Sequence, residues 1–193
     1  MERMNKNIIF VSKEEFDNID MNDRFIFFSK SAKKKPGKGV GEFASTSYDS
    51  LPLDFRQDLS NFGEKEDEYF IYDGYKWKTV EHAFQAAKFK DLNFDLFYSF
   101  TIDSNSDLGI KGSGLDAQKK RKSIILNKEQ LKEWGDKNDE IMGELWRVKF
   151  SQIDRLKKLL LDTKNAELWH TVNRKPIKQR WIGLERIREE LRK

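Results

Sequence analysis

Glutamate, glutamine and lysine occupy positions 81, 85 and 88 of the stretch GYKWKTVEHAFQAAKF, residues 74–89. The spacing i, i+4, i+7 predicts that Glu81, Gln85 and Lys88 share one face of a helix. Thr79 stands where an N-cap is expected, and Val80, Phe84 and Ala87 form an apolar stripe opposite. Two readings of Glu81 are open. A carboxylate in the first turn is favoured by the helix dipole alone. It is equally the residue a pocket would use as its working carboxylate. Trp77 precedes it by one short stretch, Gln85 adds an amide, and LSNF (residues 59–62) brings Asn61 and Phe62 into the same hairpin. Aromatic and amide walls around a carboxylate suit a base-stacking or sugar-binding pocket. His82 is rotated about 100° around the axis from Glu81. It reads as a wall residue, packed or hydrogen-bonded, rather than a catalyst.

A second constellation is the basic loop SKSAKKKPGKGVGE, residues 29–42. Glycines let backbone N–H groups approach an anion, and Lys38 beside Gly39 supplies charge, so a phosphate or pyrophosphate cradle is chemically reasonable. The spacing is neither that of a P-loop nor that of a dinucleotide fingerprint. A solvated basic surface loop is the plain alternative. Lys30 stands apart because it follows the apolar run FIFF. A lysine entering a site from a buried strand can have its pKa lowered enough to act as a nucleophile. Near the C-terminus, His170 and Arg174 in ELWHTVNRK are spaced to meet one anionic ligand, or simply to end a surface helix. Trp134 and Trp146 read as helix core residues, although Trp134, just before Gly135, could instead cap a pocket.

These groups need elements to hold them. IIFV (8–11) and RFIFF (24–28) read as short buried strands. A short helix is expected around residues 52–58. EYFIYDGYKW predicts a strand–turn–strand unit turning at Asp73-Gly74. From Thr79 onward helices dominate. Residues 101–123 form a Gly/Ser/Lys-rich connection containing a short helix. Asn127 and Gln130 have capping-box spacing, Gly135 is a candidate break, and Ile141, Leu145 and Val148 mark a long amphipathic helix. Further helices are expected over 154–161, 165–171 and 182–191. The fold class is therefore α+β: one helix-dominated domain spanning residues 1–193, with a few short strands mainly in the N-terminal half.

Composition narrows the chemistry. The 193 residues are 37% hydrophobic and 36% charged, with 15 Phe and 5 Trp, so core material comes as large aromatic blocks. With 37 basic and 33 acidic residues the formal charge is +4, which permits a phosphate-bearing partner without demanding one. The absence of cysteine excludes disulfides, thiolate nucleophiles and cysteine-ligated zinc. With two histidines a histidine-rich metal site is not expected, and no cofactor is. No apolar run approaches the roughly 20 residues of a membrane span. MERMNKNIIFVSKEEF lacks a secretory signal pattern, so a cytoplasmic protein that does not engage membranes is expected.

Taken in order, LSNF, DGYKWKTVEHAFQAAKF, DAQKKRK followed by Trp134, EIMGELWRVKFSQ, and KKLLLDT with NAEL resemble the NADAR or YbiA-like family, associated with NAD and ADP-ribose metabolism. FIFFSKSAKKKPGKGVGE resembles the opening of its longer-type subgroup. The resemblance implies an N-glycosidase. Its substrate would be either a ribosylamino-pyrimidine of riboflavin synthesis or ADP-ribose attached to guanine in nucleic acid. Glu81 matches the family's catalytic glutamate, and Trp134 matches a tryptophan of its site. By extension Glu81 would stabilise positive charge at C1 or activate water; in the alternative, Lys30 would trap C1 as a Schiff base after ring opening, with Glu81 moving protons. Trp77 or Trp134 would wall the sugar or base, Asn61 would hydrogen-bond it, and the loop of Lys38 and Gly39 would hold pyrophosphate. The WG…G…NxLG segment of many YbiA-like members is replaced here by LWHTVNRKPIKQRWIGLERIREEL. That departure turns the expectation toward ADP-ribose, with His170 and Arg174 as replacement contacts. A binding module for NAD or ADP-ribose without chemistry, or an inactive helical interaction protein with Glu81 as a surface acid, would fit the same residues.

Overall fold

The computed structural model describes residues 6–27, 31–171 and 177–193. The elements run β1 (Ile9–Ser12), α1 (Lys13–Asp17), β2 (Arg24–Phe27), α2 (Phe55–Leu59), β3 (Phe70–Tyr72), β4 (Tyr75–Trp77) and α3 (Val80–Ala86). They continue with α4 (Phe94–Tyr98), a 3₁₀ turn (Ile102–Ser104), α5 (Asp107–Ile110), α6 (Gly114–Lys120) and a second 3₁₀ turn (Arg121–Ser123). Last come α7 (Lys128–Gln152), α8 (Asp154–Asp162), β5 (Glu167–Thr171), β6 (Ile177–Arg180) and α9 (Ile182–Leu191). Helices thus dominate an α+β fold, and four of these strands lie in the N-terminal half. No helix among the described residues is long and apolar enough to cross a membrane. The chain forms two compact units, residues 1–60 with 155–193, and residues 61–154.

The first unit is built on a four-stranded sheet of order β1-β6-β5-β2. β5 pairs parallel to β2, with Phe25 opposite Leu168, and antiparallel to β6, with His170 opposite Gln179. This overturns the helix expected over residues 165–171. Seven residues are too few for periodicity to separate helix from strand. Leu168 and Trp169 are both fully buried, as in a central strand covered on two faces. β6 carries no apolar alternation and becomes a strand because β1 and β5 supply its partners on both sides. Phe16 of α1 packs edge-on against Trp169 at 4.9 Å, with Ile26 completing that cluster.

The basic loop after β2 is organised from inside. Glu42 accepts from the Ile26 and Gly39 amides and is clasped by Arg56, whose Nε and Nη2 lie 2.6 and 2.5 Å from its oxygens. Arg56 also donates to the carbonyls of Lys34 and Lys35. Both side chains of this ion pair are essentially inaccessible, at 1% and 0% exposure.

The second unit starts from the expected hairpin. Asp73 (φ 54°) and Gly74 (φ 79°) both adopt left-handed backbone, as a two-residue type I′ turn requires. Phe70 lies opposite Trp77 across it, both buried. α3 packs on α6 and α7. α7 is one continuous helix of 25 residues, opened by the Asn127–Gln130 capping box. Gly135 does not interrupt it, because a single glycine costs about 1 kcal/mol, less than a helix of this length supplies. Its buried face is Met142, Leu145, Trp146, Lys149 and Phe150, one step around from the expected Ile141–Leu145–Val148 stripe. Only Leu145 is common to both, because aromatic bulk and the Lys149 stem outweigh the two β-branched residues.

Candidate active site

Glu81 enters the site through the opening of α3. Thr79 takes extended backbone and caps the helix, its Oγ1 accepting the His82 amide at 3.2 Å. The Glu81 amide donates to the Asn61 carbonyl at 3.0 Å. Asn61 is pinned to α7 in turn, its Oδ1 accepting the Trp146 indole N–H at 2.7 Å and its Nδ2 lying 3.5 Å from the Met142 sulfur. LSNF therefore sets the height of the helix start, and the Asn61 amide oxygen is already engaged.

The polar face of α3 is not a solvated face. Glu81 is 5% exposed and Gln85 3%, whereas Phe84 and Ala87 of the expected buried stripe are only half-buried. Val80 of that stripe is buried as expected, and Ala83 and Ala86 join it in place of the other two. The surface-acid reading of Glu81 is thereby overturned: a buried carboxylate carries a desolvation cost that a dipole-matched surface acid avoids. Gln85 donates from Nε2 to Glu81 Oε1 at 2.6 Å, and Lys88 donates to Gln85 Oε1 at 2.6 Å. Lys88 lies over Trp134 at 5.1 Å and Phe84 at 5.7 Å, and those rings meet edge-on at 5.0 Å. Trp134 is half-buried and stands with this group rather than in the closed core.

Burial pushes the Glu81 carboxyl up, opposed by hydrogen bonds from Gln85 and Gln118 and by the charges of Lys88 and Arg121. Burial lowers the Lys88 ammonium, Arg121 lowers it further, and Glu81 holds it up. A carboxyl that is shielded from water, hydrogen-bonded by amides and faced by cations can accept or deliver a proton and can stabilise a developing cation. α6 brings Gln118 to it, and the 3₁₀ turn that follows α6 brings Arg121. That approach depends on Gly114, where a Cβ would stand 2.7 Å from Phe62 Cδ1 and 3.1 Å from Phe62 Cα. Phe62 is thus half-buried under the start of α6.

The family model of the NADAR domain matches residues 52–185, more than half of the chain. The chain belongs to the NADAR family. Its structure resembles the NMR structure of the E. coli protein YbiA, with a TM-score of 0.51 and 22% sequence identity over 90% of this chain and 85% of that one. No curated protein matches the sequence. The NADAR match contains Glu81, Gln85, Asn61, Phe62, Trp77 and Trp134, whereas Lys30, Lys38 and Gly39 precede it.

Within the NADAR stretch, two of the expected site residues serve the scaffold. His82 is fully buried. Its Nε2 donates to the Leu108 carbonyl at 3.2 Å, which leaves Nδ1 to accept the Thr79 hydroxyl at 2.8 Å. Burial drops its pKa to about 4. Trp77 is 1% exposed, donates to the Tyr72 carbonyl at 2.8 Å and packs against Tyr75 and Phe97.

The remaining expected residues belong to the first unit. Gly39 spends its amide on Glu42 and Val40 spends its own on Ser31. These two amides are therefore spent inside the loop, on a carboxylate and a hydroxyl, while Lys33, Lys34, Lys35 and Lys38 are exposed to solvent. His170 stacks on Trp181 at 5.4 Å, and its buried Nδ1 has no hydrogen-bond partner. Burial lowers its pKa. Lys30 and Arg174 lie outside the described residues. Gln118 and Arg121 escaped the sequence reading, although both sit in the DAQKKRK segment that carries part of the family resemblance. An open cleft of about 840 Å³, lined by residues 64–69, Lys76, Lys78, Ile102 and Ile110, includes none of the expected site residues.

Proposed function

We propose that this NADAR protein is a cytoplasmic N-glycosidase that hydrolyses a ribose C1–N bond, removing ADP-ribose from guanine in nucleic acid, with Glu81 as its key carboxylate. The observation that carries the reading is the buried Glu81, oriented by Gln85 and faced by Lys88. Breaking the C1–N bond develops oxocarbenium character, and a carboxylate near C1 stabilises that charge or takes a proton from the attacking water. Trp134 would offer the flat wall a sugar or base packs on, while His82, Trp77 and the Asn61 side chain hold the helix start in place. Lys30 is the proposed nucleophile of a variant route: its amine attacks C1 as guanine leaves with a proton, the ribose ring opens to give an imine, and water hydrolyses that imine to release ADP-ribose and the free amine.

The test is incubation with guanine-ADP-ribosylated DNA, with products read by mass spectrometry beside a Glu81→Gln control. Release of ADP-ribose with restored guanine, lost in the variant, supports the reading. Intact substrate with the wild type, followed by turnover of a ribosylamino-pyrimidine, would move the substrate to the riboflavin intermediates. Reversible binding of ADP-ribose with no turnover of either would leave a binding module. Borohydride trapping of a Lys30 adduct separates the imine route from direct hydrolysis.

A further inference from the structure

Around Glu81 the charges do not balance. Lys88 and Arg121 both act on it, and they repel one another. Against these two cations stands one carboxyl whose ionised form burial disfavours. An incoming anion would relieve that repulsion. The geometry favours the same conclusion. Lys88 is held by Gln85 at 2.6 Å and framed by Trp134 and Phe84, so its ammonium is placed before any ligand arrives. Arg121 opens the 3₁₀ turn that follows α6, a helix fixed by the Ser113–Asp116 capping box and seated on α3 through the buried Ala117. Lys119, Lys120, Arg121 and Lys122 are all exposed there. Lys119 pairs with Asp116 at 3.6 Å, but among the described residues no carboxylate pairs with Lys120, Arg121 or Lys122.

We infer that Lys88 and Arg121 form a phosphate clamp for the substrate of the Glu81 site, with Lys120 and Lys122 extending it outward. The inference rests on the proposed reading of that site and adds the group it recognises. Arg121 offers a planar fork suited to two phosphate oxygens, while Lys88 acts as a point charge on the aromatic side. The phosphate could belong to the pyrophosphate of ADP-ribose or to a phosphodiester of the nucleic-acid backbone. Lys88 and Arg121 present the same chemistry to both.

The experiment measures binding of ADP-ribose, of guanosine and of an unmodified single-stranded oligodeoxynucleotide to Glu81→Gln protein, where turnover does not interfere. Arg121→Gln and Lys88→Gln are added singly to that background. Loss of a charged hydrogen bond is expected to weaken a phosphate-bearing probe by about 10- to 100-fold and to spare guanosine. Weakening of ADP-ribose alone assigns the clamp to the pyrophosphate. Weakening of the oligonucleotide, with a salt dependence shallower by about one phosphate contact, assigns it to the backbone. Unchanged affinity for both in Arg121→Gln, whose exposed side chain is not needed for folding, overturns the clamp. Failure of the wild type to cleave ADP-ribosylated DNA would remove the ADP-ribosyl-guanine substrate from the proposed reading and leave these binding results standing.

Discussion

Gln85 donates to Glu81 from one end of its amide and accepts Lys88 at the other, both at 2.6 Å. Its orientation is therefore set from two sides, and the chain Lys88–Gln85–Glu81 behaves as one unit. Gln85→Leu breaks that unit while filling similar space. Turnover of ADP-ribosylated DNA is expected to fall by about 10²-fold or more, in line with loss of a preorganised polar partner. The readout is kcat together with a pH–rate profile, because a freed carboxyl shifts the acidic limb. An unchanged profile would mean that Gln85 does not tune Glu81.

Glu81→Gln should abolish turnover and still fold. A carboxyl whose folded pKa is raised contributes stability that is fully present below its unfolded pKa of 4.5 and lost as pH rises through the folded value. Wild type should therefore lose ground to Glu81→Gln as pH climbs from below 4.5 toward neutrality. Thermal midpoints of both proteins over that range decide it. Parallel curves would contradict the burial of an ionisable group at this position.

His82 runs the other way. Its folded pKa of about 4 lies below the ordinary 6.5, so its contribution is present above 6.5 and lost as pH falls toward 4. The difference corresponds to about 3 kcal/mol across that window. His82→Gln, which can still donate to Leu108, should flatten the acid limb of a urea-denaturation series between pH 4 and 6.5. An equally steep limb would point to another group.

Two glycines make a paired test. At Gly135 nothing lies within 4 Å of an added Cβ, so Gly135→Ala in the middle of α7 should stabilise by up to about 1 kcal/mol. At Gly114 the same methyl meets Phe62 backbone and ring, and the overlap should cost about 1–3 kcal/mol. Because α6 carries Gln118 and leads into the turn that holds Arg121, Gly114→Ala should also lower turnover. Chemical denaturation and activity on the two variants check the opposite signs.

The buried pair Glu42–Arg56 offers a stability test in the first unit. Glu42→Ala leaves the Arg56 charge without its carboxylate in a dry site, which should cost about 3–5 kcal/mol. Replacing both by apolar residues should cost less than the single change. A double variant as unstable as the sum of the singles would mean the two side chains act independently.

Much of the local structure was legible because its causes are local. The Asp73-Gly74 turn, the Thr79 cap and the Asn127–Gln130 box are each settled by residues within four positions of one another. The Glu81–Gln85–Lys88 face follows from helical period alone. The residues 165–171 misled for the opposite reason: their strand exists because β2 and β6 lie alongside. The buried face of α7 likewise answers to neighbours on other elements.

By itself, the sequence determined which side chains share a helix face, where the hairpin turns, and the match to the NADAR family over residues 52–185. Tertiary structure decided what that face meets. It buried Glu81 and Gln85, closed His82 and Trp77 into the scaffold, turned the Gly39 amide onto Glu42 and carried Arg121 to the site. Periodicity specifies direction around one axis, whereas desolvation and charge pairing depend on which segments, distant in sequence, come to lie against it.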